Sequence, residues 1–153
     1  MSQLAGVIST HAGFAGGTLP YPTYQQVCTK TTGHAEVVRV VYDRRVLDLQ
    51  QLLQFFFQLH DPGRDRRDRG GQYRSAIFFP PNSLNTRDER MAKAMIAHLA
   101  DQIGLVSTEV KSEVIFYPAD GRHQQYCDVR SITPRPPTGL SNSYWKGFKA
   151  ANH

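Results

Sequence analysis

A chain of 153 residues, 40% hydrophobic and 20% charged, has the size and make-up of one globular domain with its own core. No apolar run approaches the roughly 20 residues of a membrane helix, and the start Met1-Ser2-Gln3-Leu4-Ala5-Gly6 does not read as a secretory signal. A soluble, cytoplasmic protein is therefore expected, with an organellar address left open to a longer chain. The net charge of +5 bears on acidic partners rather than on fold, and the two cysteines, Cys28 and Cys127, do not make a disulfide framework.

In chain order, Gly6-Val7-Ile8-Ser9-Thr10-His11-Ala12 predicts a short strand ending at the glycines of Gly13-Phe14-Ala15-Gly16-Gly17. A loop rich in Pro, Gly and Thr then runs to Gly33, and a loop of that length inside a domain is more often functional than idle. The valines of Ala35 to Tyr42 predict a second strand, and Asp43-Arg44-Arg45 a turn. Asp48 is placed to cap a helix whose Leu49, Leu52, Leu53 and Phe56 fall on one apolar face. That helix should stop near His60-Asp61-Pro62, because the residue before proline resists helical geometry. Arg64 to Gly71 reads as a charged loop, Gln72 to Phe79 as a third strand, and Thr86 as the cap of a second helix through Ile103. On that helix Met91, Met95, Leu99 and Ile103 share a face. Thr108 to Phe116 predicts a fourth strand, and residues 133–153 an extended or disordered tail. The order β-β-α-β-α-β points to an α+β sandwich, with helices on one face of a mixed sheet.

Few residues announce chemistry by spacing alone. Glu36 lies at the start of a valine-rich strand, where burial would raise a carboxyl pKa and make a proton donor. A surface glutamate at a strand end is the plainer reading. His34, two residues earlier, would share its face on a strand. Tyr24 and Tyr73 each offer a phenol able to pack against an apolar ligand and still donate a hydrogen bond. Asp68 alone passes for a solvated turn residue. The six histidines show no metal-ligand spacing, so no metal site is expected. The run Arg64-Asp65-Arg66-Arg67-Asp68-Arg69 alternates in sign, which weakens its case as a phosphate-binding patch. Cys28 and Cys127 have no activating partner nearby in sequence and read as buried, inert thiols.

Taken together, six ordered segments resemble the A-type peptide methionine sulfoxide reductases. They are Gly13-Phe14-Ala15-Gly16-Gly17, Pro22-Thr23-Tyr24-Gln25-Gln26-Val27-Cys28, Thr32-Gly33-His34-Ala35-Glu36-Val37-Val38, His60-Asp61-Pro62, Gln72-Tyr73-Arg74-Ser75-Ala76-Ile77-Phe78 and His123-Gln124-Gln125-Tyr126. The likeness runs from about Leu4 to Tyr126 and implies a domain over 4–132 with a ferredoxin-like two-layer sandwich. It also implies an activity, the thiol-dependent reduction of methionine-S-sulfoxide in proteins, with thioredoxin as reductant and no cofactor. Glu36 resembles the family's proton donor. Tyr24 and Tyr73 resemble the phenols around the sulfoxide oxygen, and Asp68 and His123 match an aspartate and a histidine of the substrate region.

The departures from the pattern are as specific. The family's nucleophile stands in a Gly-Cys-Phe-Trp segment upstream of the stretch matching Leu4 to Ile8. The resemblance therefore implies that this segment, with one strand and one helix, is not among these residues. Neither Cys28 nor Cys127 stands at its position. The loop before Tyr73 is short, Asp120-Gly121-Arg122 precedes His123 where Glu-Asp-Tyr is common, and no late Gly-Tyr-Cys-Gly is present. Two further readings stay open: a pseudoenzyme that binds oxidised methionine, and a basic nucleic-acid module using Arg64 to Arg69 with Tyr144-Trp145-Lys146-Gly147-Phe148-Lys149. The second leaves the ordered motifs unexplained.

Overall fold

The structure is a computed structural model that describes residues 4–29, 31–60, 62–63, 74–81, 85–119, 145 and 148. Asp68, Tyr73, His123, Cys127 and the Arg64 to Arg69 run lie outside the described residues.

The chain begins with β1 (Val7–Ala15), which pairs antiparallel along its length with β2 (Ala35–Tyr42). β1 runs three residues further than its valine and isoleucine signal suggests. Gly13 lets it continue, since a Cβ there would lie 2.4 Å from Tyr117 O and from the Phe116 ring, where β5 (Tyr117–Pro118) packs. The loop between β1 and β2 holds a helix that the sequence reading left out, α1 (Tyr24–Cys28). Its signal is a capping box: Thr23 accepts from the Gln26 amide at 3.2 Å and the Gln26 side chain accepts from the Thr23 amide at 2.8 Å. One buried side chain, Val27, anchors it.

The second helix, α2 (Leu49–Gln58), is capped by Asp48 as expected, again with a reciprocal partner three residues on, Gln51. Its buried face is Leu49, Leu52, Leu53 and Phe57, so Phe57 rather than Phe56 closes the stripe. We expect Asp48→Ala to cost about 1 kcal/mol, the usual worth of such a cap. Urea unfolding should show this as a lower midpoint at unchanged slope.

Three further elements differ from expectation. β3 is short (Ala76–Phe78). α3 (Asn85–Ile103) already includes Thr86, which is therefore not its cap. Of the expected strand over Thr108 to Phe116 only Glu109–Lys111 is strand, and the next strand begins just beyond that span, in the other sheet. β4 (Glu109–Lys111) pairs parallel to β3, the chain turns at Glu113 with φ 60°, and β5 joins the far edge of β1.

The architecture is α+β with both antiparallel and parallel pairing, as expected. Among the described residues the strands form two sheets rather than one, in the orders β2-β1-β5 and β3-β4. The main core lies where α2 and α3 cover β3: Phe57, Met95 and Leu99 are fully buried, with Leu53, Ile77 and Phe79 around them. Trp145, within the stretch expected to be a tail, is 6% exposed in that same core, and Phe148 packs beside it. Arg44, just after β2, makes a bidentate pair with the buried Asp88 of α3 (2.6 and 3.2 Å), tying the first sheet to the helical layer. No described helix is long and apolar enough to cross a membrane.

Candidate active site

Between the two sheets lies a cavity of about 660 Å³. The whole of β2 from Glu36 onward forms one wall, β3 forms the other, and Leu49, Leu53 and Phe56 of α2 close it on the helical side. β2 pairs only with β1, and β3 only with β4, so among the described residues each strand turns an unpaired edge to this space. The cavity is the gap between two half-sheets.

Glu36 stands at the end of the cavity where β2 begins. It is half-buried and paired in register with Phe14 of β1. The strand can start there because Gly33 takes φ 75°, a left-handed conformation that suits glycine. The expectation that His34 shares a face with Glu36 is not met. His34 precedes the first strand residue, so strand alternation does not govern it. Its ring is buried, takes the Gly17 N–H on Nδ1 at 3.0 Å, and lies 2.7 Å from Leu19 O through Nε2. Tyr24, the first residue of α1, is half-buried but lies outside the cavity wall. Of the five site residues expected, the structure therefore brings Glu36 alone to the cavity, while Asp68, Tyr73 and His123 fall outside the described residues.

Cys28 is exposed, not buried. It ends the short helix on which Val27 takes the inward position. It does not line the cavity.

Polar groups that the sequence reading did not single out line the same space. Arg74 donates to Gly33 O and to Glu109 Oε2, both at 2.9 Å. Ser75 Oγ lies 2.7 Å from His60 Nε2 and 2.8 Å from Thr108 Oγ1, while His60 Nδ1 meets Phe56 O at 3.0 Å. At the opposite end Tyr42 lies under the Arg44 guanidinium, 5.4 Å from ring centroid to carbon. Burial pushes the Tyr42 phenol above its ordinary range, so it stays a donor, and its hydroxyl finds no partner among the described residues. The contacts that fix the Glu36 end of the cavity are long-range. Gly33 and Arg74 are 41 residues apart, and Gly17 and His34 are 17 apart. Among the described residues no group of three or more His, Cys, Asp or Glu is arranged to hold a metal.

Comparison with known proteins gives a consistent answer. Residues 1–135 match the family model described as peptide methionine sulfoxide reductase. Proteins named peptide methionine sulfoxide reductase MsrA from Escherichia coli, strains SMS-3-5 / SECEC and K12 / DH10B, are each 47% identical over 131 residues. Those alignments take in 81% of this chain and 61% of each relative, so the chain spans about three-fifths of the length of the curated relatives it matches. Methionine sulfoxide reductase A of Corynebacterium diphtheriae is similar in structure, with TM-score 0.68 and 33% identity over 89% of this chain and 71% of that one. Mxr1 from Saccharomyces cerevisiae in its reduced form also gives TM-score 0.68, with 27% identity over 88% and 78% of the two chains.

Proposed function

Because the chain belongs to the peptide methionine sulfoxide reductase family, we propose that it forms the acid-bearing, substrate-holding body of an enzyme reducing methionine-S-sulfoxide in proteins. The observation that supports this most directly is the Gly33-to-Glu36 turn, which sets a half-buried carboxyl in the wall of an otherwise largely apolar cavity. A sulfoxide is reduced when a thiolate attacks its sulfur and its oxygen is protonated. The oxygen passes to the cysteine as a sulfenic acid and methionine departs. A second thiol condenses with the sulfenic acid, releasing water, and a dithiol such as that of thioredoxin reduces the resulting disulfide. Glu36 is the proposed source of the proton on the sulfoxide oxygen. Tyr24, Tyr73, Asp68 and His123 are the proposed substrate-binding set. A compartment where thioredoxin is present, the cytoplasm, is the proposed setting.

The attacking thiolate is, in this proposal, neither cysteine of the chain. Cys28 is off the cavity wall, and Cys127 stands where the family usually has leucine. It would come from a Gly-Cys-Phe-Trp segment joined to these residues. Incubated with dithiothreitol and methionine-S-sulfoxide, the chain itself should show no turnover, since removing a covalent catalyst leaves only binding and acid groups. The chain joined to that segment should reduce the S epimer and spare the R. Turnover by the chain itself that survives Cys28→Ser and is lost in Cys127→Ser would overturn this assignment of the nucleophile. A folded, joined protein that binds the sulfoxide without reducing it would favour the pseudoenzyme reading, which Asp120-Gly121-Arg122 before His123 also supports.

A further inference from the structure

We propose that Arg74 and His34 are positioning residues, which together fix the turn from which Glu36 projects and hold it in register with the opposite cavity wall. The proposal rests on the reading of Glu36 as the proton donor, but its geometry stands independently. The Arg74 side chain is 10% exposed, and its guanidinium bridges two elements: Nη2–H donates to Gly33 O and Nε–H to Glu109 Oε2 on β4. Gly33 lies three residues before Glu36. Glu109 belongs to the other sheet, which shares no backbone ladder with β2 among the described residues. Arg74 thus ties the two half-sheets across the end of the cavity that holds the acid. Lysine cannot replace Arg74. Two donors diverging from a planar fork at fixed angles are a property of guanidinium, not of a single ammonium.

His34 completes the clamp from the other side. A backbone N–H can only donate, so the Gly17 contact requires a bare Nδ1 and leaves the ring proton on Nε2, where it donates to Leu19 O. One neutral, fixed tautomer therefore pins the loop at both ends. The peptide backbone alongside is equally tight. Thr18 N–H donates to Thr32 O at 2.9 Å, and His34 N–H donates to Thr32 Oγ1 at 3.2 Å. A Cβ on Gly17 would lie 2.4 Å from Thr32 O, and one on Gly16 2.5 Å from the Phe78 ring that Arg74 covers. The two glycines mark where the loop threads between the clamp residues.

Amide exchange on the chain joined to the nucleophile segment tests this directly. Arg74→Lys should speed exchange at His34, and His34→Gln at Gly17, by on the order of tenfold or more, while the amides of Met95 and Leu99 in α3 keep their protection. In the protein carrying the nucleophile segment, Arg74→Lys should lower kcat on the order of tenfold to a hundredfold with KM little changed, as misplacement of a catalytic group does. If either variant loses structure as a whole, nitrogen NMR of the joined protein without these substitutions decides. A proton on Nδ1 of His34 at neutral pH overturns the clamp, and a bare Nδ1 supports it. Exchange at Gly17 and His34 that does not change in folded variants also overturns it. If exchange changes as expected but Glu36→Gln proves harmless to turnover, the clamp stands and the catalytic reading of Glu36 falls.

Discussion

Glu36→Gln, made in the chain joined to a Gly-Cys-Phe-Trp segment, should slow the chemical step by on the order of 10² to 10⁴, the usual worth of a general acid. That corresponds to about 2.7 to 5.4 kcal/mol of barrier. The size follows from the chemistry. A sulfoxide oxygen leaves sulfur only when protonated, and an amide of nearly the same shape cannot give up a proton at neutral pH. The change should not disturb the fold, because Glu36 is held by the β1–β2 ladder, with Phe14 opposite, and the side chain is only half-buried. Single-turnover rates separate the effect from binding: the rate constant should fall while the concentration for half-saturation stays close to that of the parent. A loss below about threefold would make Glu36 a bystander.

What was legible in the sequence was local. The valines of Ala35 to Tyr42 mark β2 to the residue, and Asp48 with the leucines of α2 marks a helix by cap and period. The errors come from contacts that no short window contains. Val110 and the Val114-Ile115-Phe116 run read as one strand, yet β4 stops at Lys111, the chain turns at Glu113, and β5 begins only at Tyr117, in the other sheet. Phe57 is fully buried where Phe56 is only partly so, and Trp145, nearly ninety positions on, lies against the Phe57 ring at 5.7 Å in a tilted arrangement. The helix α1 did carry a local signal, the Thr23–Gln26 capping box, obscured by the prolines and threonines around it.

The site divides in the same way. Glu36 is marked by its place at the head of a valine-rich strand as well as by the resemblance, and it lies in the cavity wall. Arg74 sat inside a quoted motif, but its tie to Gly33 and Glu109 is a product of the folded chain. The Gly16-Gly17 pair reads in sequence only as the end of a strand. In the structure it is a point of close approach, where any side chain would meet Thr32, His34 or Phe78.

The largest effect on stability should come from filling the gap between the half-sheets. We expect the chain as it stands to associate or to fold only in part, and a strand-forming segment placed between β2 and β3, by fusion or as a peptide, to rescue it. Val38 and Val41 of β2 are 49% and 41% exposed, and the cavity behind them is walled by side chains of Leu49, Leu53, Phe56 and Ile77. An inserted strand would hydrogen-bond to two open edges at once, and open edges otherwise invite pairing with other chains. Each large apolar side chain taken out of water contributes roughly 1.5 to 3 kcal/mol. Three or four of them match a typical domain stability of about 5 to 15 kcal/mol. Light scattering and thermal melting in the presence and absence of the segment measure this. The expected result is a shift from a broad, concentration-dependent transition to a sharp monomeric one. If the chain by itself is monomeric and melts cooperatively, and the added strand leaves that transition unmoved, the cavity is a finished cleft. Its open edges must then be tolerated by the charges that border them, Arg39 and Arg44 on β2 and its turn and Arg74 at β3.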